Sequence, residues 1–161
     1  MPMRLEGPLA DRSGWQADAC SVGKAMDVVG TRSAMLLIRE AFYGTTRFDD
    51  FARRVGITDA IAAARLKELV SAGIFSKRPY REPGQRTRNE YVLTPMGQDL
   101  LPAVLALMQW GDRYLQENGE GPLDVVYGSS GERVEVTART HDGTALDADS
   151  LHVRVNHRRP R

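Results

Sequence analysis

Arg81, Arg86 and Arg88 crowd one short stretch around Pro83-Gly84. A proline–glycine pair resists both helix and strand and marks a turn. Guanidinium groups on such a turn suit phosphate oxygens or a DNA minor groove. The plainer role is a solvated loop. Lys77 and Arg78 lead into it. Upstream, a helical run opens at Thr58, with Thr58, Asp59, Ala60, Ala63 and Ala64 off its apolar face. Thr58 can bond a base or a phosphate, Asp59 can accept from cytosine, and the alanines can touch only thymine methyls. Equally, the first two are an ordinary helix cap and first-turn acid. Arg65 and Lys67 further along, and Arg47 before them, suit phosphates. Each can instead lie in solvent or pair with a neighbouring acid, Arg65 with Asp49 or Asp50 and Arg47 with an acid nearby. So thin a set of base contacts predicts recognition partly by DNA shape.

Cys20 is the single cysteine, which excludes an internal disulfide and a cysteine-rich zinc site. It stands near a helix start with Lys24 one turn on, a setting that favours a reactive thiolate. Oxidation there would give a sulfenic acid, a mixed disulfide or a bridge between subunits. The alternative is a small buried residue in a subunit contact. Leu107, Met108, Trp110 and Tyr114 recur at helical spacing and can form a dimer interface or line a ligand pocket. His141, His152 and His157 have only turn and strand spacing, so no metal is expected.

The elements that position these residues follow from periodicity. Residues 1–17 read as a loose polar arm that Trp15 can pin. From Asp18, Val22, Ala25, Met26 and Val29 line one helical face up to Gly30. A second helix, capped by Ser33, is apolar on most sides and should be the buried centre. A third runs Arg47 to Val55, opened by Thr46 with Asp49 as its capping-box acid. Gly56-Ile57 is the tight turn of a helix-turn-helix, and Ala62, Leu66 and Leu69 face inward on the next helix until Gly73. Ile74 to Tyr80 and Asn89 to Leu93 pair as a hairpin around the arginine-rich tip. This is a winged helix-turn-helix. Thr94-Pro95 opens a long helix to about Gln116, kinked near Pro102, with two apolar rows. Leu101, Val104, Leu105, Met108 and Leu115 form one row, and Leu100, Ala103, Leu107, Trp110 and Tyr114 the other. Two rows suit one face on the chain's own domain and one on a partner subunit. The tail reads as strands at Val125–Tyr127, Arg133–Arg139 and Leu151–Val155, a turn at His141-Asp142-Gly143, and a basic end at Arg158, Arg159 and Arg161.

The fold class is thus α+β, mainly α, in three parts: an arm over 1–17, a winged helix-turn-helix with dimerisation helices over 18–117, and a β-rich extension over 118–161. Net charge is +1, so any pull on nucleic acid is local, and the basic residues between Thr45 and Leu93 are mostly arginine. No apolar run approaches the roughly 20 residues of a membrane span. Nor does the N-terminus carry a signal-peptide core, so the cytoplasm is expected. There is no nucleophile elbow, no phosphate-binding glycine loop and no histidine before His141, so neither an enzyme nor a cofactor is expected.

An ordered set of residues then resembles one family. It comprises Cys20, Arg39-Glu40, Arg47-Phe48, Phe51, Ile57, Arg65-Leu66-Lys67-Glu68-Leu69, Gly73-Ile74 and Arg78-Pro79-Tyr80. It continues through Glu90-Tyr91-Val92-Leu93-Thr94, Gly97, Leu100-Leu101-Pro102 and Trp110-Gly111. The chain resembles the HxlR-type transcription regulators, a winged-helix group related to MarR proteins. The resemblance implies a homodimer that binds double-stranded DNA at a palindromic operator, more often as a repressor. In similar regulators a cysteine at the place of Cys20 senses oxidants or electrophiles, and a small-molecule effector is the other expected signal. Three departures stand out. Ser33 replaces a tryptophan, Ala62 replaces a leucine, and the tail from Val125 lacks the cysteines of the zinc-ribbon-like extension that longer relatives carry, so it should fold as plain strands. The competing expectation is a winged-helix scaffold that binds a ligand or protein and no DNA.

Overall fold

A computed structural model describes residues 2–13 and 20–156. Trp15, the expected helix start at Asp18, His157 and the terminal arginines lie outside the described residues. In chain order the elements are β1 (Arg4–Leu5), α1 (Ser21–Val29), α2 (Arg32–Phe42), α3 (Phe48–Val55), α4 (Asp59–Ser71), β2 (Phe75–Tyr80), β3 (Arg88–Leu93), α5 (Pro95–Gln98), α6 (Leu101–Leu115) and β4 (His152–Val153). They form two compact units, Asp18–Gly121 and Met1–Ala17 with Pro122–Arg161.

In the first unit, α2 starts where Thr31 accepts from the Ala34 N–H at 3.2 Å. The cap is Thr31, not Ser33, because Thr31 is extended while Ser33 already lies in the first helical turn. Ser33 is half-buried there. A left-handed Gly56 (φ 70°) closes α3, and Thr58 accepts from the Ile61 N–H at 3.3 Å to open α4. Gly56-Ile57-Thr58 therefore makes the tight turn between the helices. Leu37 and Ile38 of α2, Phe51 of α3, Leu66 and Leu69 of α4, and Phe75 of β2 are essentially sealed from solvent. The Phe51 ring stands edge-on to Phe75 at 5.9 Å and to Tyr91 at 6.4 Å. Ala62 is fully buried on the inner face of α4.

The hairpin pairs Phe75 with Leu93 through Tyr80 with Arg88. Its tip turns at Glu82–Gln85, where the Gln85 N–H donates to the Glu82 carbonyl at 3.0 Å. Proline followed by Gly84 at φ 75° makes this a type II turn. The Tyr91 N–H donates to the Thr46 carbonyl at 2.8 Å, so the loop before α3 pairs onto the wing. Thr46 is thus not the helix opener. Arg47 holds the cap position of α3 without a side-chain acceptor, and Asp49 is a first-turn acid.

Of the apolar face of α1 only Val29 is buried, while Val22 and Met26 are exposed among the described residues. The long helix is two helices, and the interruption near its start falls at Asp99–Leu100, one turn before Pro102. Pro102 has no N–H for the Gln98 carbonyl and its ring would crowd that oxygen, so the backbone leaves the helix one turn earlier. The two expected rows separate only in part: Leu101 and Leu115 of the first are exposed, and Leu100 of the second is half-buried against the core. Val104 is buried and Leu105 and Met108 half-buried. Leu101, Leu107, Trp110, Tyr114 and Leu115 are exposed.

The second unit departs further from expectation. Within the arm, β1 pairs with β4 in parallel, Arg4 opposite His152 and Leu5 opposite Val153, and Leu9 is buried. Among the described residues, β4 is the one expected tail strand that forms. Elsewhere single bridges join Val126 to Arg133 and Arg139 to Ala145. The alternation of Val134 and Val136 does half-bury them. Yet the Val134 N–H donates back to Val125 at 2.9 Å while the Ala138 carbonyl accepts from Leu146 at 3.0 Å. The two ends of the stretch therefore serve different turns.

Candidate nucleic-acid interface

The outer side of α4 exposes Asp59, Ala60, Ile61, Ala63, Ala64 and Lys67, with Thr58 exposed at its cap. The Thr58 oxygen already accepts its own helix's Ile61 N–H. Asp59 is the acid of the first turn. Arg65 is half-buried and pairs with Glu68 on its own helix, not with Asp49 or Asp50. Asp50 pairs with Arg53. The buried Nε of Arg65 has no hydrogen-bond partner.

The wing arginines divide by their engagements. Arg81 donates from Nε to the Gln85 carbonyl at 3.1 Å, bracing the turn. Arg88 lies in β3 and faces Asp49 of α3 at 3.6 Å. Arg86 is exposed between them, with no ion pair among the described residues. Arg47 is engaged within its own chain while its side chain stays 36% exposed. Its guanidinium lies 3.2 Å from the centre of the Tyr80 ring, and Nη2 is 3.8 Å from Glu82. A stacked guanidinium on tyrosine is a directional contact. Asp49 and Arg47, at the start of α3, therefore meet Arg88, Tyr80 and Glu82 of the wing. Arg78 crosses the hairpin to Glu90 at 2.7 Å. That bond above all, with a second from Thr46, holds the Glu90 carboxyl below its ordinary range. Burial pushes the Tyr91 phenol up.

The bracing partners Tyr80 and Asp49, and the exposed Ile61, escape a reading of the sequence. Tyr80 and Asp49 carry no local signal, because their partners come from other elements. Ile61 carries a weak one, as a β-branched residue among alanines and out of phase with Ala62, Leu66 and Leu69.

Away from this surface, Cys20 is half-buried at the cap of α1, and its carbonyl accepts from the Lys24 N–H at 3.0 Å. Trp110 and Tyr114 touch each other at 5.8 Å on the outer row of α6. The Met108 sulfur receives the Tyr43 hydroxyl at 3.5 Å. A cleft of about 490 Å³ opens between Phe42, Thr45, Tyr91, Leu93, Gln98 and Leu101. Leu107, Met108, Trp110 and Tyr114 do not line it. Among the described residues no group of histidine, cysteine and carboxylate side chains could hold a metal ion. No helix among them is long and apolar enough to cross a membrane.

This geometry has close counterparts. The HxlR-like helix-turn-helix family matches residues 28–119. An HTH-type transcriptional regulator of Mycobacterium bovis is 41% identical over 132 residues, spanning 81% of this chain and 82% of that protein. The crystal structure of PA1607, described as a candidate transcription factor, is 35% identical with a TM-score of 0.76, covering 87% of this chain and 96% of that one. The redox regulator HypR in its reduced form is 32% identical with a TM-score of 0.51, covering 56% of this chain and 89% of that one. The fold is that of winged-helix transcription regulators, and these counterparts are regulators rather than enzymes. With the helix-turn-helix, the braced wing and the matched residues in agreement, the chain belongs to the HxlR-like helix-turn-helix family of transcription regulators.

Proposed function

We propose that this regulator is a homodimeric, sequence-specific DNA-binding repressor. Each subunit sets α4 in a major groove and its wing in the minor groove beside it, with Thr58, Asp59, Ala60 and Ala63 nearest the bases and Arg65, Lys67, Arg81, Arg86 and Arg88 toward phosphates. The observation that carries the reading is the free outer face of α4 next to a wing whose tip arginine, Arg86, is uncommitted. Dimerisation is supported by apolar side chains left half or more exposed, Val22 and Met26 on α1 and Leu107, Trp110 and Tyr114 on α6. A two-fold pair of this kind calls for a palindromic operator with half-sites about one helical turn apart. Repression by occupancy is the simplest use of such a dimer. A mobility shift on the DNA upstream of its own gene, over a salt series, tests this. A steep loss of affinity with salt supports it. Salt-insensitive or absent binding turns the reading to a scaffold for a ligand or protein partner.

An oxidant signal read at Cys20 is a second reading, favoured by the thiol's place at the cap of α1 and by the similarity to HypR, a redox regulator. Cys20→Ser should then abolish oxidant-triggered release from DNA. Unaltered release in that variant ends the idea.

A further inference from the structure

What α4 offers the bases is poor in hydrogen bonds. Its first seven residues are Asp59, Ala60, Ile61, Ala62, Ala63, Ala64 and Arg65. None is an asparagine or glutamine that could grip adenine in two places, and Arg65, which could grip guanine, is paired with Glu68. The Thr58 oxygen caps the helix. The one large apolar side chain on this exposed surface is Ile61, with 46% of its surface open to solvent. It sits in the first turn of α4, beside Ala64 and on the flank that continues to Arg65. Thymine is the base whose major-groove edge carries a methyl group, and apolar contact is how side chains of this type read it.

We infer that Ile61 is a specificity-determining residue that reads the C5-methyl of a thymine, with Ala60, Ala63 and Ala64 letting the helix approach closely enough for contact. The inference rests on the DNA-binding reading above. It goes beyond it by naming the base and the chemical group. Lys67, exposed further along the helix, is placed to hold a phosphate while the first turn meets the base edges.

The test uses the full-length protein and a duplex selected by it from a random library. Each thymine of one half-site is replaced in turn by deoxyuridine, which removes the methyl and keeps the pairing edge. Binding is read by fluorescence anisotropy. One thymine per half-site should be sensitive, with affinity falling about fourfold in one half-site and roughly fifteenfold when both are changed, the scale of one buried carbon each. Ile61→Ala should lose a similar amount on the unmodified duplex and become indifferent to the substitution, and Ile61→Val should fall between. If no thymine responds in the unaltered protein, the inference fails whatever the variants do. It also fails if the response persists in Ile61→Ala. A library that yields no bound duplex overturns the DNA-binding reading itself, and this one with it.

Discussion

Replacing Arg86 with alanine isolates the electrostatic share of the grip on DNA. Arg86 sits at the exposed wing tip and has no ion pair among the described residues, so removing it should leave the fold untouched. Its guanidinium is free to neutralise a phosphate without first leaving a partner. Each neutralised phosphate contributes about 0.9 to the slope of log K against log salt. Two subunits acting together should therefore flatten the slope by about 1.8. Between about 50 mM and about 200 mM salt, that slope shrinks the advantage of the unaltered protein by roughly twelvefold. Anisotropy titrations at four salt concentrations give the slope, and a thermal melt confirms the fold. The loss should be equal on the selected duplex and on unrelated DNA, because a phosphate contact carries no sequence information. An unchanged slope, or a loss confined to one sequence, would refute the placing of Arg86 on the backbone.

Asp49→Asn releases Arg88, and because that pair is exposed and worth at most about 1 kcal/mol, stability should barely change while DNA affinity rises by about threefold; weaker binding in a titration would show that the wing needs the brace more than the free charge. Gly97→Ala places a Cβ 2.3 Å from the Ile74 carbonyl oxygen, a clash with backbone, and should destabilise by about 1–3 kcal/mol in denaturant unfolding. Glu90→Gln tests the wing's acid response. The Glu90 carboxyl is held low in the folded state, so its contribution is full above the ordinary glutamate range and fades as pH falls through the lowered value. The stability gap between unaltered and variant protein should thus be widest near neutrality and close in acid, and a gap that widened in acid would contradict the assigned direction.

What could be read from the residues alone was whatever a short window decides. The Thr58 cap, the stop at Gly56 and the turn at Pro83-Gly84 are local events, and each stands where its chemistry puts it. So does the inner face of α4, because a period of 3.6 with one buried stripe leaves little choice. What stayed hidden depends on distant partners. Arg47 looked available to phosphate because nothing near it in sequence signals Tyr80, more than thirty residues on. The apolar stripe of α1 was legible, but periodicity says that a stripe will be covered, not by which chain. The arm looked loose because Arg4–Leu5 finds its partner at His152–Val153, at the other end of the chain.

The seat of Thr94 has a mechanical consequence. Its N–H donates to the Ile74 carbonyl at 3.0 Å and its hydroxyl reaches the same oxygen at 3.2 Å, while the oxygen of that hydroxyl accepts from the Gly97 N–H at 3.1 Å. The end of α4, both strands of the wing and the turn of α5 are thereby riveted at one point. Immediately beyond it the helix breaks at Asp99–Leu100. Beyond the rivet and the joint, α6 runs about 22 Å, seated on the head by buried Val104 and by Met108 against Tyr43. A tilt of about 5° at that joint moves the far end by about 2 Å over that length.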